Sequence, residues 1–345
     1  MDTKILKIID IDEDYSKIIE GASYLKSGEV VAIPTETVYG LAADAFDEKA
    51  IKKVFEVKGR PQDNPLLVHI HKLEQVYDIC KDIPTEAKRV FEAFWPGSVT
   101  LIFNKKDCIS DIVTAGMPTV AVRFPKSEIA RAIIKESGTL LVAPSANLSG
   151  KPSTTSAQHC YNDLNGKIPC ILDGGSSSIG LESTIIDMSV NPPILLRPGA
   201  VSIEEICNVI PNLIYKKELL SIENSDIPKA PGMKYRHYAP DIPVTLVEGE
   251  YIKTSKWISE NTNENDVIIC FQEFLNNFNN HKHVYSLGSF KMLNIAAQNI
   301  FNLLRECDKL VNINHIYIQA PKNEGLGNSI INRLEKASSG NIIHI

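Results

Sequence analysis

The signatures of common nucleotide loops are missing from this chain. "GGSSSIGLEST" (174–184) is rich in glycine and serine but has no lysine, so GxxxxGK[ST] does not occur. "GLGNSI" (325–330) follows a strand-like run and opens a helix-like one, but Ile330 breaks GxGxxG. Both stretches read as loops and a helix start, and neither a P-loop nor a dinucleotide fingerprint is supported. CxxC is also missing: the seven cysteines are odd in number and scattered. That excludes a disulfide framework and a zinc ribbon and predicts a reducing, cytoplasmic setting. No apolar run reaches the ~20 residues needed to cross a bilayer. The N-terminal "MDTKILKIIDIDEDYSK" carries acidic residues inside its apolar stretch and has no signal-peptide core or cleavage site. No membrane partner is expected. A basic excess is lacking too. The net charge of −6 argues against stable nucleic-acid binding.

What is present is an ordinary globular composition, 43% hydrophobic and 23% charged, in 345 residues. That length predicts two domains. Residues 1–211 read as many strands with a few helices. "VVAI" (30–33) is a strand ending at Pro34, and "DEKAIKKVFEVKG" (47–59) is a helix with Asp47 as N-cap and Gly59 as stop. "PLLVHI", "SVTLIFN", "TVAVRFP", "TLLVAPS" and "PCILDGG" are strands, "TEAKRVFEAFW" and "KSEIARAIIKESG" helices, and "STIIDM" with "ILLRPG" a hairpin. Hairpin links and helical crossovers together predict a twisted mixed sheet with flanking helices. Residues 212–241, with prolines at 228, 231 and 240, read as an extended linker that nonetheless carries Lys234, Tyr235, Arg236, His237 and Tyr238. From 242 to 345 strands and helices alternate, which predicts a small, mostly parallel, Rossmann-like α/β domain.

The first domain carries the candidate chemistry. In "KGRPQDNPLLVHIH" (58–71), Lys58 and Arg60 stand two apart, Arg60 is stiffened by Pro61, and Asn64 precedes Pro65. Cations at a helix C-terminus answer the macrodipole. A planar Arg fork, a compact Lys charge and an amide also suit a phosphate chain. A local cationic cluster in a region with 22 Lys/Arg and 28 Asp/Glu suggests a small anionic ligand rather than a polyanion. His69 and His71 share a strand face; a metal pair is conceivable, but a single His bonding ligand or core reads better. Thr35, Glu36 and Thr37 follow a strand, as a self-capped turn or as donors to a small polar substrate. Ser145, Asn147, Ser149 and Ser153 follow another, as a surface turn or a ligand loop. Arg123 and Arg197 lie in strands, where each needs an anion or an exposed face.

Taken together, "PTETVYGL", "KGRPQDNPL", "FWPGSVTLI", "VAVRFP", "APSANLSG", "GLESTIID", "LLRPGAV" and "APGMKYRHYAP", in that order, resemble the threonylcarbamoyl-AMP synthase family, with its YrdC-like domain, in the long two-domain form. The resemblance implies a nucleotidyltransferase that condenses L-threonine, bicarbonate (or CO2) and ATP to threonylcarbamoyl-AMP and pyrophosphate. It implies Mg²⁺ on the phosphates, with no protein ligand identified, and as functional partner the transferase that modifies adenosine 37 of ANN-decoding tRNAs. Lys58 and Arg60 would be the catalytic cations. Arg60, Asn64, Thr119, Ser145, Asn147, Ser153, Arg197, Tyr235 and His237 would bind ATP, with the linker as a lid. Thr37, His69, Arg123, Ala143 and Ser183 would hold threonine, Arg123 on its carboxylate. The rival reading is a non-catalytic, RNA-binding or translation-associated module. It is weakened by the acidic charge and by the lack of interleaved aromatic and basic residues.

Overall fold

In the computed structural model the described residues are 2–215 and 237–345. The core of the expected linker and lid, with Lys234, Tyr235 and Arg236, lies outside them. The chain divides into two compact units: the first is Met1–Ser149, Ser153–Ser178 and Glu182–Tyr235, and the second Gly150–Pro152, Ile179–Leu181 and Arg236–Ile345.

The described residues of the first unit form eleven strands: β1 (Lys4–Lys7), β2 (Val31–Ile33), β3 (Gly40–Asp44), β4 (Leu67–His69), β5 (Cys80–Lys81), β6 (Val99–Lys105), β7 (Thr119–Arg123), β8 (Leu141–Val142), β9 (Cys170–Asp173), β10 (Thr184–Asp187) and β11 (Ile194–Arg197). They form one mixed sheet in the order β1-β9-β2-β3-β8-β4-β7-β6-β10-β11, with β5 beside β6. It mixes parallel pairs such as β4–β7 with antiparallel ones such as β6–β7. The flanking helices are α1 (Tyr15–Lys26), α2 (Glu48–Lys58), the short α3 (Val76–Ile79), α4 (Thr85–Phe94), the short α5 (Asp111–Thr114), α6 (Glu128–Ser137), α7 (Ala157–Leu164) and α8 (Ile203–Val209).

Strand parity sorts the sheet into two faces. Val68, Val122, Leu101, Ile186 and Leu195 point into the main core, where Ile51, Val54 and Phe55 of α2 and Val90 and Phe91 of α4 join them. Their immediate neighbours along the same strands, Leu67, Ala121, Ile102, Ile185 and Leu196, form a smaller apolar cluster on the other face. That second face carries the candidate site at its margin.

Local chemistry explains the ends of α2. The Asp47 side chain accepts from the amide of Lys49, and Gly59 takes φ 61°, a left-handed conformation that lets Arg60 leave in a new direction. The hairpin read across Asn191 is present as antiparallel β10–β11. Beyond Pro211, Leu213 is buried in the main core and Ile214 bridges β11, so the first unit continues past the boundary read from sequence.

The second unit is all parallel. Strands β12 (Val244–Glu248), β13 (Asp266–Cys270), β14 (His283–Ser286), β15 (His315–Gln319) and β16 (Ile342–His344) pair in the order β14-β13-β15-β12-β16. Helices α9 (Tyr251–Asn261), α10 (Leu293–Cys307) and α11 (Leu326–Ala337) connect them. Gln319, fully buried, holds this sheet's end together: its oxygen accepts from Phe271 N and its amide donates to Tyr251 O and Thr254 Oγ1. Among the described residues no helix is long and apolar enough to cross a membrane.

Candidate active site

The site is assembled around Arg123, the last residue of β7. In register it lies beside His69 of β4 and opposite Thr100 of β6, so the three side chains share the face of the small apolar cluster. Arg123 is buried and held at three points. Its Nε donates to Gly97 O at 3.1 Å, Nη1 to Thr37 Oγ1 at 2.7 Å and Nη2 to Glu36 Oε1 at 2.6 Å. Glu36, in the same loop as Thr37, is also buried and accepts from the amides of Lys126 and Ser127 at the start of α6. Burial alone would raise its pKa. The Arg123 charge and the Lys126 amide outweigh that and hold the carboxyl at about 2. Beside the pair, His69 is driven down to about 3, by burial first and the Arg123 charge second, with Glu36 opposing. It is therefore a neutral imidazole, and its Nδ1 has no hydrogen-bond partner.

Thr100 extends the patch to Ser183, hydroxyl to hydroxyl at 2.7 Å. Ser183 O in turn accepts from Arg197 Nη2 at 2.9 Å and from Nε at 3.2 Å. A β-bulge aims Arg197. On β11, Leu195 pairs with Ile186 on the core side, but Arg197 pairs with Ile185 on the site side, so two residues advance against one. Thr37, His69, Arg123, Ser183 and Arg197 thus form one connected set. Gly199 makes room for it: a Cβ there would lie 2.4 Å from Ser183 C and Thr184 N.

A second set gathers where α2 ends. Lys58 Nζ, buried, donates to the carbonyl of Ser145 and, at 2.6 Å, to that of Asn147. Arg60 curls back on its own loop, Nη2 donating to Pro65 O at 2.9 Å and to Asn64 O at 3.3 Å. Asn64 Oδ1 is buried without a partner. Continuing the β4–β7 register two residues back puts Thr119 level with Pro65, on the same face as Arg123 but at the strand's other end. Ala143 hydrogen-bonds Leu67 O across β8–β4. Ser153 donates to Glu182 Oε1, next to Ser183.

The strand-entering segment 37–41 joins the two sets. Thr37 holds Arg123, Tyr39 O accepts from Ala146 N, Tyr39 N donates to Thr154 O, and Leu41 N donates to Pro144 O. Among the described residues of the first unit, the candidates for binding threonine or ATP therefore lie in or beside one of two linked patches, whereas His71, half-buried, sits apart with its amide on Gln75 Oε1. His237 falls in the second unit, its ring 5.6 Å from that of Tyr238. Tyr235 lies outside the described residues. Residues not singled out from sequence are Thr100, Glu182, Thr154 and, as the partner of Arg123, Glu36. Strand parity would have found Thr100, which lies opposite Arg123. Thr154 Oγ1, fully buried, has no partner. Such an atom costs on the order of 1–3 kcal/mol unless a ligand or water takes it.

Two family profiles cover almost the whole chain. The Sua5/YciO/YrdC profile, described as "Telomere recombination", matches residues 23–199, and the "Threonylcarbamoyl-AMP synthase, C-terminal domain" profile matches 201–339. A Pyrococcus abyssi threonylcarbamoyl-AMP synthase is 42% identical over 99% of this chain and 100% of its own. The chain belongs to the threonylcarbamoyl-AMP synthase family. A Bacillus subtilis threonylcarbamoyl-AMP synthase is 41% identical over 97% of this chain and 98% of its own. The crystal structure of P. abyssi Sua5 with L-threonine superposes with TM-score 0.93, covering 99% of this chain and 100% of that one. Threonylcarbamoyl-AMP synthases of this two-domain form are thus matched along both units. Escherichia coli YciO, 20% identical with TM-score 0.52 over 57% of this chain, shares the fold of a part.

Proposed function

We propose that this chain makes L-threonylcarbamoyladenylate from ATP, L-threonine and bicarbonate or CO2, releasing pyrophosphate. The observation that carries the reading is the junction at 37–41: a patch centred on Arg123, with Arg197 at its edge, adjoins a patch of two cations, an orphan amide oxygen and hydroxyls. The first suits an amino acid and the second a triphosphate.

Arg123 takes the threonine carboxylate, with Thr37, neutral His69, Ala143 and Ser183 around the rest of the amino acid. Carboxylation of the amino group gives a carbamate and releases protons to solvent. A carbamate oxygen then forms a bond to the α-phosphorus as the bond to pyrophosphate breaks. Arg60, Arg197 and Lys58 offset the charge on the transferring phosphates, while Asn64, Thr119, Ser145, Asn147 and Ser153 orient the nucleotide. By the family resemblance, Tyr235 and His237 would also bind ATP. No protein nucleophile is required, since positioning and fixed charge supply the rate. Among the described residues no three His, Cys, Asp or Glu side chains group to hold a metal. Mg²⁺ would take most of its ligands from phosphates and water and would supply charge to the leaving pyrophosphate. The product would be handed to a tRNA threonylcarbamoyl transferase.

Incubation of the protein with ATP, Mg²⁺, bicarbonate and labelled threonine, followed by chromatography for the adenylate, tests the reading. Threonine-dependent pyrophosphate release is expected in the parent and less than a tenth of it in Arg60→Ala. Binding of RNA without turnover would favour the non-catalytic alternative and refute the proposal.

A further inference from the structure

Glu36 has no part in the reaction just written, yet its carboxylate is buried at the centre of the amino-acid patch. One of its oxygens receives Arg123 Nη2 at 2.6 Å, the Lys126 amide at 3.1 Å and Ser98 Oγ at 3.4 Å. The other receives the Ser127 amide at 3.1 Å. The arginine is thereby locked. Its Nε, Nη1 and Nη2 are each tied to a different partner, Gly97, Thr37 and Glu36, which fixes the rotation of the guanidinium. Of its five N–H groups, these bonds use three and leave one on each terminal nitrogen.

That remainder matches the two oxygens of a carboxylate. Glu36 also offsets the Arg123 charge, its Oε1 lying 2.6 Å from Nη2. Without it, a bare buried cation would draw in phosphate or bicarbonate, both of which the reaction brings close. We propose that Glu36 is a positioning and selectivity residue: it sets the plane of Arg123 for the amino-acid carboxylate and keeps inorganic anions from occupying it. This rests on the reading that Arg123 receives the threonine carboxylate.

The test compares Glu36→Gln, Arg123→Lys and Gly138→Ala in the full chain, measuring KM for L-threonine and for ATP, and inhibition by inorganic phosphate. Gly138 caps α6 at its far end with φ 73°, so an alanine there weakens the same helix without touching Arg123. Glu36→Gln is expected to raise KM for threonine at least tenfold, leave KM for ATP within twofold and make phosphate competitive with threonine. Gly138→Ala should leave KM for threonine within twofold. If Arg123→Lys raises that KM and Glu36→Gln does not, the proposal falls and the arginine assignment stands. If Arg123→Lys leaves it unchanged, the arginine assignment itself falls. If Gly138→Ala reproduces the Glu36→Gln profile, Glu36 acts only through the helix and the proposal is overturned. Should Glu36→Gln fail to fold, Glu36→Asp, charged but one methylene short, replaces it with the same expected rise.

Discussion

Replacing Lys58 by methionine separates two roles that one lysine carries. Methionine keeps the buried stem and removes the ammonium. The carbonyls of Ser145 and Asn147, which now receive Nζ, would stay behind in a site that buries the lysine almost completely. Replacing both partners of a buried polar pair can be neutral, but stripping one partner is not, because the acceptors remain. Hydrogen bonds to a charged group contribute about 1.5–3 kcal/mol each. Partial rehydration of the loop offsets some of the loss, so a cost of roughly 2–4 kcal/mol is expected. For a domain of this size that lowers the melting midpoint by roughly 5–15 °C. The two tryptophans supply the assay, because Trp95 lies in the first unit and Trp257 in the second. In a Trp257→Phe background, Trp95 fluorescence reports unfolding of the unit that holds Lys58. Adenylate formation, measured well below the lowered midpoint, should fall at least tenfold, since the Ser145–Asn147 loop loses its anchor. A midpoint within one degree of the parent would show that Lys58 does not hold the loop. A lowered midpoint with unchanged turnover would show that neither loop nor lysine serves the reaction.

Three further outcomes follow from the same geometry. Gly199→Ala pushes a methyl into the backbone of Ser183 and Thr184 and should cut turnover at least tenfold with every functional side chain intact; an unchanged rate would mean that the Arg197–Ser183 contact is dispensable. Acid stability should show two groups, both with folded pKa values below their ordinary ones, so both stabilise at higher pH and lose that contribution as pH falls. His69 acts from 6.5 down to about 3 and Glu36 from 4.5 down to about 2, each with a slope of up to ~1.4 kcal/mol per pH unit. His69→Asn should flatten the limb that begins below pH 6.5, and urea midpoints across pH 3–7 that fall identically in parent and variant would refute this. A fragment of residues 1–215 should unfold at a higher midpoint than one of residues 1–211, because only the longer one keeps Leu213 in the core and Ile214 on β11; equal midpoints would count against that packing.

The elements that sequence revealed are those with strong local grammar. Asp47 and Gly59 bracket α2, Ser127 and Gly138 bracket α6, and alternating apolar runs give β6, β7 and β10–β11. The elements it did not reveal have weak grammar. β1 is "KILK", with one buried residue, and becomes a strand only by pairing with β9, which lies more than a hundred and sixty residues on. β3, "GLAAD", is poor in β-branched residues and is a strand because β2 and β8 flank it. The site followed the same division. "PTET" reads as a self-capped turn and is one, Thr35 Oγ1 donating to Val38 O. That its Glu36 and Thr37 also grip Arg123, some ninety residues away, is not a local property.

Sequence by itself determined which groups this protein has for binding anions and where its helices stop, because side-chain chemistry and capping act over a few residues. Tertiary structure decided what those groups face. Arg197 points to the site because a bulge gives β11 one extra residue against β10, and Lys58 is spent partly on carbonyls that another loop brings to it. Pairing register and burial arise between segments far apart in the chain, so no window along the sequence contains them.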